Sequence, residues 1–218
     1  MALKAAAQIP SGSILWLRAD SNLTVENGKV MSWPDQSGLH HDVLQDDSQR
    51  RPILIVQGIN GLPSLHFDGN SYFKAPGIFP ANHDYSIAGV FRLSDTTVIN
   101  NILAGSTHAL WFNQNNHLSV HDFWFQLDVE ASAPSNLNGS RFIVTYNAAS
   151  STVRIYIDGR LSDSLWVYPN DDTTLYIGAY NGGYCLDGDL SEIMLYNREL
   201  DSTDVAGLDG YLGTKYGL

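Results

Sequence analysis

Apolar residues in this chain fall into many short runs, most of them alternating with polar residues at a period of two and broken by Gly, Asn, Asp or Pro. That pattern predicts β-strands joined by tight turns. The run from Ile14 to Leu17 is the first strand, and Asn27-Gly28 turns the chain into a second over Lys29 to Trp33. Leu65 to Phe67 alternates and stops at Asp68-Gly69, and Ser86 to Leu93 sets Ile87, Gly89, Phe91 and Leu93 on one face. Strands follow at 101–104, 109–113 and 117–129; 141–146 and 152–157 form a hairpin, and Asp158-Gly159 turns into 160–165. Leu175 to Tyr180 leads through Asn181-Gly-Gly183 to a closing run, Leu190 to Tyr196, that is apolar at nearly every position. A run of that kind suits a central strand covered on both faces. Only the end of the chain is helical. Asp201 is a good N-cap, Leu200 and Val205 occupy staple positions, and Val205, Leu208, Leu212 and Tyr216 recur at helical spacing. Gly207, Gly210 and Gly213 each cost this helix about 1 kcal/mol relative to Ala. It must therefore gain its order by docking on the strands, and the expectation is that it caps an open end of the core.

Composition narrows the class. With 44% hydrophobic but only 16% charged residues, 19 Gly and 11 Tyr in 218 residues, the chain suits one large all-β domain over 13–218 behind an N-terminal arm, 1–12. The formal charge of −11, from 12 basic against 23 acidic residues, argues against nucleic acid and anionic membranes as partners. A lone Cys185 excludes an intramolecular disulfide. No segment reaches the roughly 18 apolar residues of a membrane span, and Met1 to Pro10 does not read as a secretory leader. The expectation is a soluble chain made in a cytoplasm and acting outside the cell or on a virion surface.

Four stretches carry a resemblance. Asp187-Gly-Asp-Leu-Ser-Glu-Ile-Met-Leu-Tyr-Asn-Arg-Glu-Leu200, followed by Asp201 to Val205, resembles the close of laminin-G-like, concanavalin A-like jelly-roll domains. Leu15 to Asp20 with Trp33-Pro-Asp-Gln-Ser-Gly38 is similar to the amino-terminal part of bacterial and phage-borne members. Phe67-Asp-Gly69 with Tyr72, and Tyr146-Asn147 with Val153 to Gly159, are again like the family. Together they span about Ser13 to Tyr216. The resemblance implies an antiparallel two-sheet jelly-roll sandwich with a short C-terminal helix. Such folds host lectins, adhesins, enzymes and virion proteins, so function has to come from a site.

Three chemistries are worth weighing. Gln126-Leu-Asp-Val-Glu130 resembles the E-x-D-x-E strand of concanavalin-like glucanases, and period-two geometry sets Gln126, Asp128 and Glu130 on one face. Gln126 cannot serve as the carboxylate nucleophile, so the chain is not expected to be an enzyme. Transition metals lack a motif, and His117 and His121 would stand about 13 Å apart on one strand. Calcium takes Asp and Asn oxygens from turns, and the candidate ligands are Asp20, Asp68, Asp187 and Asp189. In related jelly rolls a structural calcium often ties the amino-terminal segment to the closing strand. A sugar site needs aromatic faces with fixed polar groups, for which Trp111, Trp124, Tyr180 and Tyr184 serve with Asn113, Asp128 and Asn181. The leading expectation is a non-catalytic lectin-like recognition or adhesion domain, its partner a glycan or another protein surface. The alternative is a virion structural protein, a capsid decoration or tail component, with self-association or particle contacts. A glycoside hydrolase or polysaccharide lyase ranks last.

Overall fold

The computed structural model describes residues 8–78, 83–105, 109–112, 117–121, 129–132, 139–166 and 174–218. The alternating runs form strands where they were expected, with short additional ones between them, except that 117–129, expected as one strand, is divided between two that pair antiparallel, His117–His121 and Val129–Ser132. In chain order they are β1 (Ser13–Arg18), β2 (Thr24–Glu26), β3 (Lys29–Trp33), β4 (Val43–Leu44), β5 (Ile53–Ile55) and β6 (Ser64–Asp68). Then come β7 (Phe73–Pro76), β8 (Tyr85–Leu93), β9 (Asn100–Ala104), β10 (Ala109–Phe112), β11 (His117–His121) and β12 (Val129–Ser132). The last are β13 (Ser140–Asn147), β14 (Thr152–Ile157), β15 (Arg160–Trp166), β16 (Thr174–Ile177) and β17 (Asp187–Tyr196), before the helix α1 (Ser202–Tyr216).

Strand β17 is central. Its one edge pairs with β8, and its other edge takes β6 against Asp187 to Leu190 and β1 against Glu192 to Tyr196, all antiparallel. From β8 the front layer continues through β13 and β14 to β15. The back layer runs β4, β7, β16, β9, β10, β11, β12. Strands β5 and β3 join β6 to β4, so the two layers are one sheet folded over on itself. Between them, Phe91 of the front layer meets Phe112 of the back layer with ring centroids 4.8 Å apart, and Phe142 and Ile193 join the same apolar cluster. Gly89 opens room there, since a Cβ at that position would stand 2.7 Å from the Glu192 carbonyl oxygen and 2.9 Å from the Phe142 ring.

A bulge in β17 sets the phase of everything beyond it. The register against β8 shifts between Leu190 and Glu192. Strict alternation from Leu190 would send Glu192 into the sandwich. The extra residue, Ser191, reverses the phase, so Ile193 and Leu195 point inward while Glu192, Met194 and Tyr196 face the outside of the front layer. There α1 covers them. Its N-cap, Asp201, accepts from the Thr203 and Asp204 amides at 2.8 and 2.9 Å, and Gly217 ends it in the left-handed conformation at φ 66°. Val205, Leu208, Leu212 and Tyr216 pack on Ala88, Val90, Ile143, Met194 and Tyr196. The predicted stripe is thus the buried one, but the helix lies on the outer face of the front layer and does not cap an end of the core. No helix among the described residues is long and apolar enough to cross a membrane.

Glu192 is fully buried under this helix. Its carboxylate accepts from Trp16 Nε1 at 2.6 Å, Tyr211 Oη at 3.1 Å and Tyr216 Oη at 2.9 Å, and pairs with Lys215 Nζ at 2.7 Å. Lys215 also reaches Asp20 at 3.2 Å. Burial, reinforced by the adjacent carboxylate, pushes the Tyr211 and Tyr216 phenols well above their ordinary value. Arg141 binds Asp209 of the helix from β13, and Gln8 of the arm donates its amide to the Gly207 carbonyl at 3.1 Å.

Two outcomes follow from this packing. Leu208→Asp is expected to lower unfolding free energy by about 3–5 kcal/mol in urea titration, because it buries an unpaired charge between helix and sheet. Asp35 accepts from Trp16 N, His41 N and both Ser37 N and Oγ. Burial raises its pKa, but the Ser37, Trp16 and His41 bonds outweigh this and hold the carboxyl below its ordinary value. A depressed folded value stabilises above the unfolded pKa and loses that contribution as pH falls through the folded one. The stability gap between the parent and Asp35→Asn is therefore expected to be full at pH 6 and to narrow steadily below about pH 4, read by urea unfolding at each pH.

Candidate functional site

The outer face of the back layer carries no helix among the described residues, and period-two alternation decides what it presents. In β7 and just before it, Phe73 and Ala75 are core, so Tyr72 and Lys74 face outward; in β16, Leu175 and Ile177 are core, so Tyr176 does. Lys74 and Tyr176 are direct cross-strand partners. The Tyr72 and Tyr176 rings lie 6.1 Å apart at a tilt of 56°. Lys74 Nζ stands 5.7 Å from the Tyr176 ring centre and Arg50 Cζ 5.8 Å from that of Tyr72. Tyr176 is nearly buried, while Tyr72 is half-buried and Lys74 exposed. Arg50 is fixed by Nη1 bonds to the Asn70 carbonyl at 3.0 Å and Oδ1 at 2.6 Å. Gln45 Nε2 holds the Tyr72 carbonyl at 2.6 Å. Further along the same face, half-buried Trp111 sits opposite Asn101.

Beside these rings the strand ends shape an open cleft of roughly 430 Å3, lined by Gly69, Asp95, Val98, Ile99, Tyr184, Cys185 and Asp187. Asn100, fully buried, pins its walls: Nδ2 donates to the Asp95 and Val98 carbonyls at 2.6 and 3.2 Å, and Oδ1 accepts from Asp187 N at 2.8 Å. Asn101 Nδ2 holds the Tyr184 carbonyl at 2.7 Å. Tyr180 and Gly183 exchange both backbone bonds around Asn181 and Gly182, whose φ values of 47° and 76° are those of the tight hairpin turn that Asn-Gly favours. Asn181 Oδ1 accepts from Tyr176 Oη at 3.3 Å. Tyr184 is the most exposed large hydrophobic residue described, at 68%. Cys185 lines the cleft and also packs with Tyr72, Tyr176 and Ala179, so cleft and ring pair are contiguous. Burial pushes its thiol above the ordinary value, making it a poor nucleophile.

Of the residues expected to bind sugar, Asn181 and Tyr184 come together at this rim with Tyr180, and Trp111 lies on the adjoining face. Asn113, Trp124 and Asp128, like Gln126, lie outside the described residues. Sequence reading missed Arg50, Tyr72, Lys74 and Tyr176, although the alternation that makes Phe73, Leu175 and Ile177 core marks their neighbours as outward.

The calcium set is not one group. Among the described residues no three His, Cys, Asp or Glu side chains converge as metal ligands would. Asp20 is engaged by Arg18 at 2.8 Å and by Lys215. Asp68 Oδ1 holds the amides of Asn70 and Ser71 and the Ser71 hydroxyl; burial raises its pKa, but these bonds keep it below the ordinary value. Asp187 faces Asp68 across the ladder. Asp189, almost wholly buried, takes Arg92 at 2.5 and 2.8 Å and His66 Nδ1 at 3.0 Å. A carboxylate already neutralised by a guanidinium is a poor calcium ligand, and Asp189 and Asp20 are both engaged in this way. Asp189→Asn is expected to cost about 2 kcal/mol of stability by urea unfolding, equally in millimolar calcium and in chelator.

Comparison with known proteins adds the following. A family model described as the concanavalin A-like lectin/glucanases superfamily matches residues 67–206. No curated protein sequence matches significantly. Among solved structures, a Trypanosoma rangeli sialidase in complex with sialic acid is similar with a TM-score of 0.68 at 16% identity, over 96% of this chain and 34% of that one. The binding domain of Paraclostridial Mosquitocidal Protein 1 gives 0.66 at 14%, over 91% and 52%. The Ruminococcus gnavus IT-sialidase CBM40 bound to α2,3-sialyllactose gives 0.55 at 9%, over 67% and 96%. The chain spans about a third of the sialidase chains it matches. At these identities the likeness is one of fold.

Proposed function

The chain belongs to the concanavalin A-like lectin/glucanase superfamily, and from that footing we propose that it is a non-catalytic carbohydrate-recognition domain whose sugar sits at the rim of the back layer. One observation carries this reading: exposed Tyr184 stands on a cleft whose walls are pinned by Asn100, beside the half-buried Tyr72 ring and the turn amide Asn181. Sugar rings pack their C–H faces on aromatic planes and spend their hydroxyls on fixed amides, carboxylates and main-chain groups. The cleft offers all of these, with Asp95, Asp187 and Asn181 at its margin. Walls already held by internal hydrogen bonds lose little freedom when a ligand arrives. The sialyllactose-bound CBM40 of similar fold supports the ligand class.

Absence of catalysis is part of the same reading. In the sequence Gln126 takes the place of the first acid of the glucanase-like E-x-D-x-E pattern, and among the described residues lining the cleft no nucleophile lies beside an activating base. Incubation with β-glucans should release no product.

The test is a glycan array probed with the full chain, followed by titration of the hits. Tyr184→Ala is expected to weaken binding by about tenfold or more, with Tyr72→Ala acting in the same direction and the melting temperature of the Tyr184 variant unchanged. Retention of no glycan by the parent, or parent-like affinity in Tyr184→Ala, would sink the proposal.

A further inference from the structure

We infer that the saccharide held at this rim is acidic, its carboxylate or sulfate received by Arg50 and Lys74. This rests on the carbohydrate reading above and goes beyond it by naming the charge of the ligand. The chain carries only 12 basic residues against 23 acidic ones, and most of the described cations are paired with carboxylates. Arg18 meets Asp20, Arg51 meets Glu26, Arg92 meets Asp189, Arg141 meets Asp209, Arg154 meets Glu199, Arg198 meets Asp204 and Lys215 meets Glu192.

Arg50 and Lys74 are arranged differently. Among the described residues Arg50 is held by the neutral oxygens of Asn70 and by the Tyr72 ring, and Lys74 stands over the Tyr176 ring. Both hydrogen bonds of Arg50 leave from Nη1, so Nε and Nη2 of its planar fork remain for an acceptor from outside, the geometry that carboxylates and sulfates satisfy in pairs. The acid in the adjoining turn, Asp68, spends Oδ1 on Ser71 and on the Asn70 amide. The two cations are therefore positioned by uncharged partners on one face, above two neighbouring rings tilted against each other, next to the cleft that Tyr184 lines. A cation fixed in place without a counter-charge suits anion recognition, because the ligand supplies the missing charge and little side-chain freedom is lost. In a chain of formal charge −11 the overall field repels anions. Discrimination in favour of an acidic sugar must then come from these local contacts.

The experiment pairs each acidic glycan with its uncharged parent on an array, including α2,3-sialyllactose and 3′-sulfated lactose beside lactose, with titration of the pairs that respond. The parent chain is expected to bind an acidic member at least about tenfold more tightly than its neutral counterpart, the size of one charge-assisted contact. Arg50→Gln combined with Lys74→Gln is expected to abolish that preference, bringing the affinity for the acidic member down to that for its neutral counterpart in a chain that still unfolds cooperatively. Hits confined to carboxylate sugars or to sulfated ones assign the acid. Equal affinity for acidic and neutral members, or a preference that survives in the double variant, overturns this inference and leaves the carbohydrate reading standing. Retention of no glycan of either kind overturns both.

Discussion

The buried carboxylate of Glu192 is the constraint on which the rest of the molecule turns. An ion with no solvent contact is tolerated only when its charge and its lone pairs are satisfied, and Trp16, Tyr211, Lys215 and Tyr216 do this from two elements, β1 and α1. The helix contains three glycines and would not persist alone. Its apolar stripe supplies the free energy of docking, while the ion pair and hydroxyls to Glu192 fix its position and direction along the sheet. A slide or a reversal of the helix would withdraw Tyr211, Lys215 and Tyr216 and leave that carboxylate with Trp16 alone. The Ser191 bulge makes this arrangement available, since without the change of phase Glu192 would lie in the sandwich interior.

Committing the outer face of the front layer to the helix decides where recognition can take place. Ala88, Val90, Ile143, Met194 and Tyr196 are sealed, and beyond the helix Asp189 is closed over by Arg92 and His66. Among the described residues, the outer face of the back layer presents Tyr72, Lys74, Tyr176 and Trp111. Its rim is built from loops that main-chain and Asn side-chain bonds hold in place, with Asn100 and Asn101 as the fixed points. Strand β17 takes part in both faces: Asp187 at its start is bonded to Asn100, and Glu192 in its second half anchors the helix.

Local features of this architecture were legible in the chain, and long-range ones were not. Period-two runs, the Asn-Gly and Asp-Gly turns, the Asp201 cap and the Val205, Leu208, Leu212, Tyr216 stripe are set by neighbours in sequence, and they appear as read save for 117–129, where one expected strand is two antiparallel ones. The closing run was legible as a central strand, but not the bulge inside it, because an apolar run gives no phase by which to notice one. With the phase hidden, Glu192 looked like a polar interruption, and the helix had no evident seat. The same limit explains the site. Asn181 and Tyr184 announced themselves through a glycine-rich turn, whereas Tyr72 meets Tyr176 across a ladder that joins residues about a hundred positions apart in sequence. The acids expected for calcium show a complementary limit: their spacing gave the carboxylates but not the arginines and lysine that the fold brings to Asp20 and Asp189.

The groups that hold the fold and those proposed for recognition are therefore separable in this molecule, and the separation is physical. Groups that hold the fold, such as Glu192, Asp189 and Leu208, are buried, and changing any of them strands a charge or exposes apolar surface. Groups proposed for recognition stand at the surface: Tyr184 and Lys74 are exposed, and among the described residues Arg50 is tied to the neutral oxygens of a turn and to the Tyr72 ring. Exposed contacts of that kind contribute little to folding. A loss of binding at the rim with unchanged melting therefore reports on ligand contacts, whereas a loss that accompanies melting reports on the seat of the helix. The cost of keeping Arg50 and Lys74 without a counter-charge is small at a wet surface, and the anionic ligand proposed for them would lower it further.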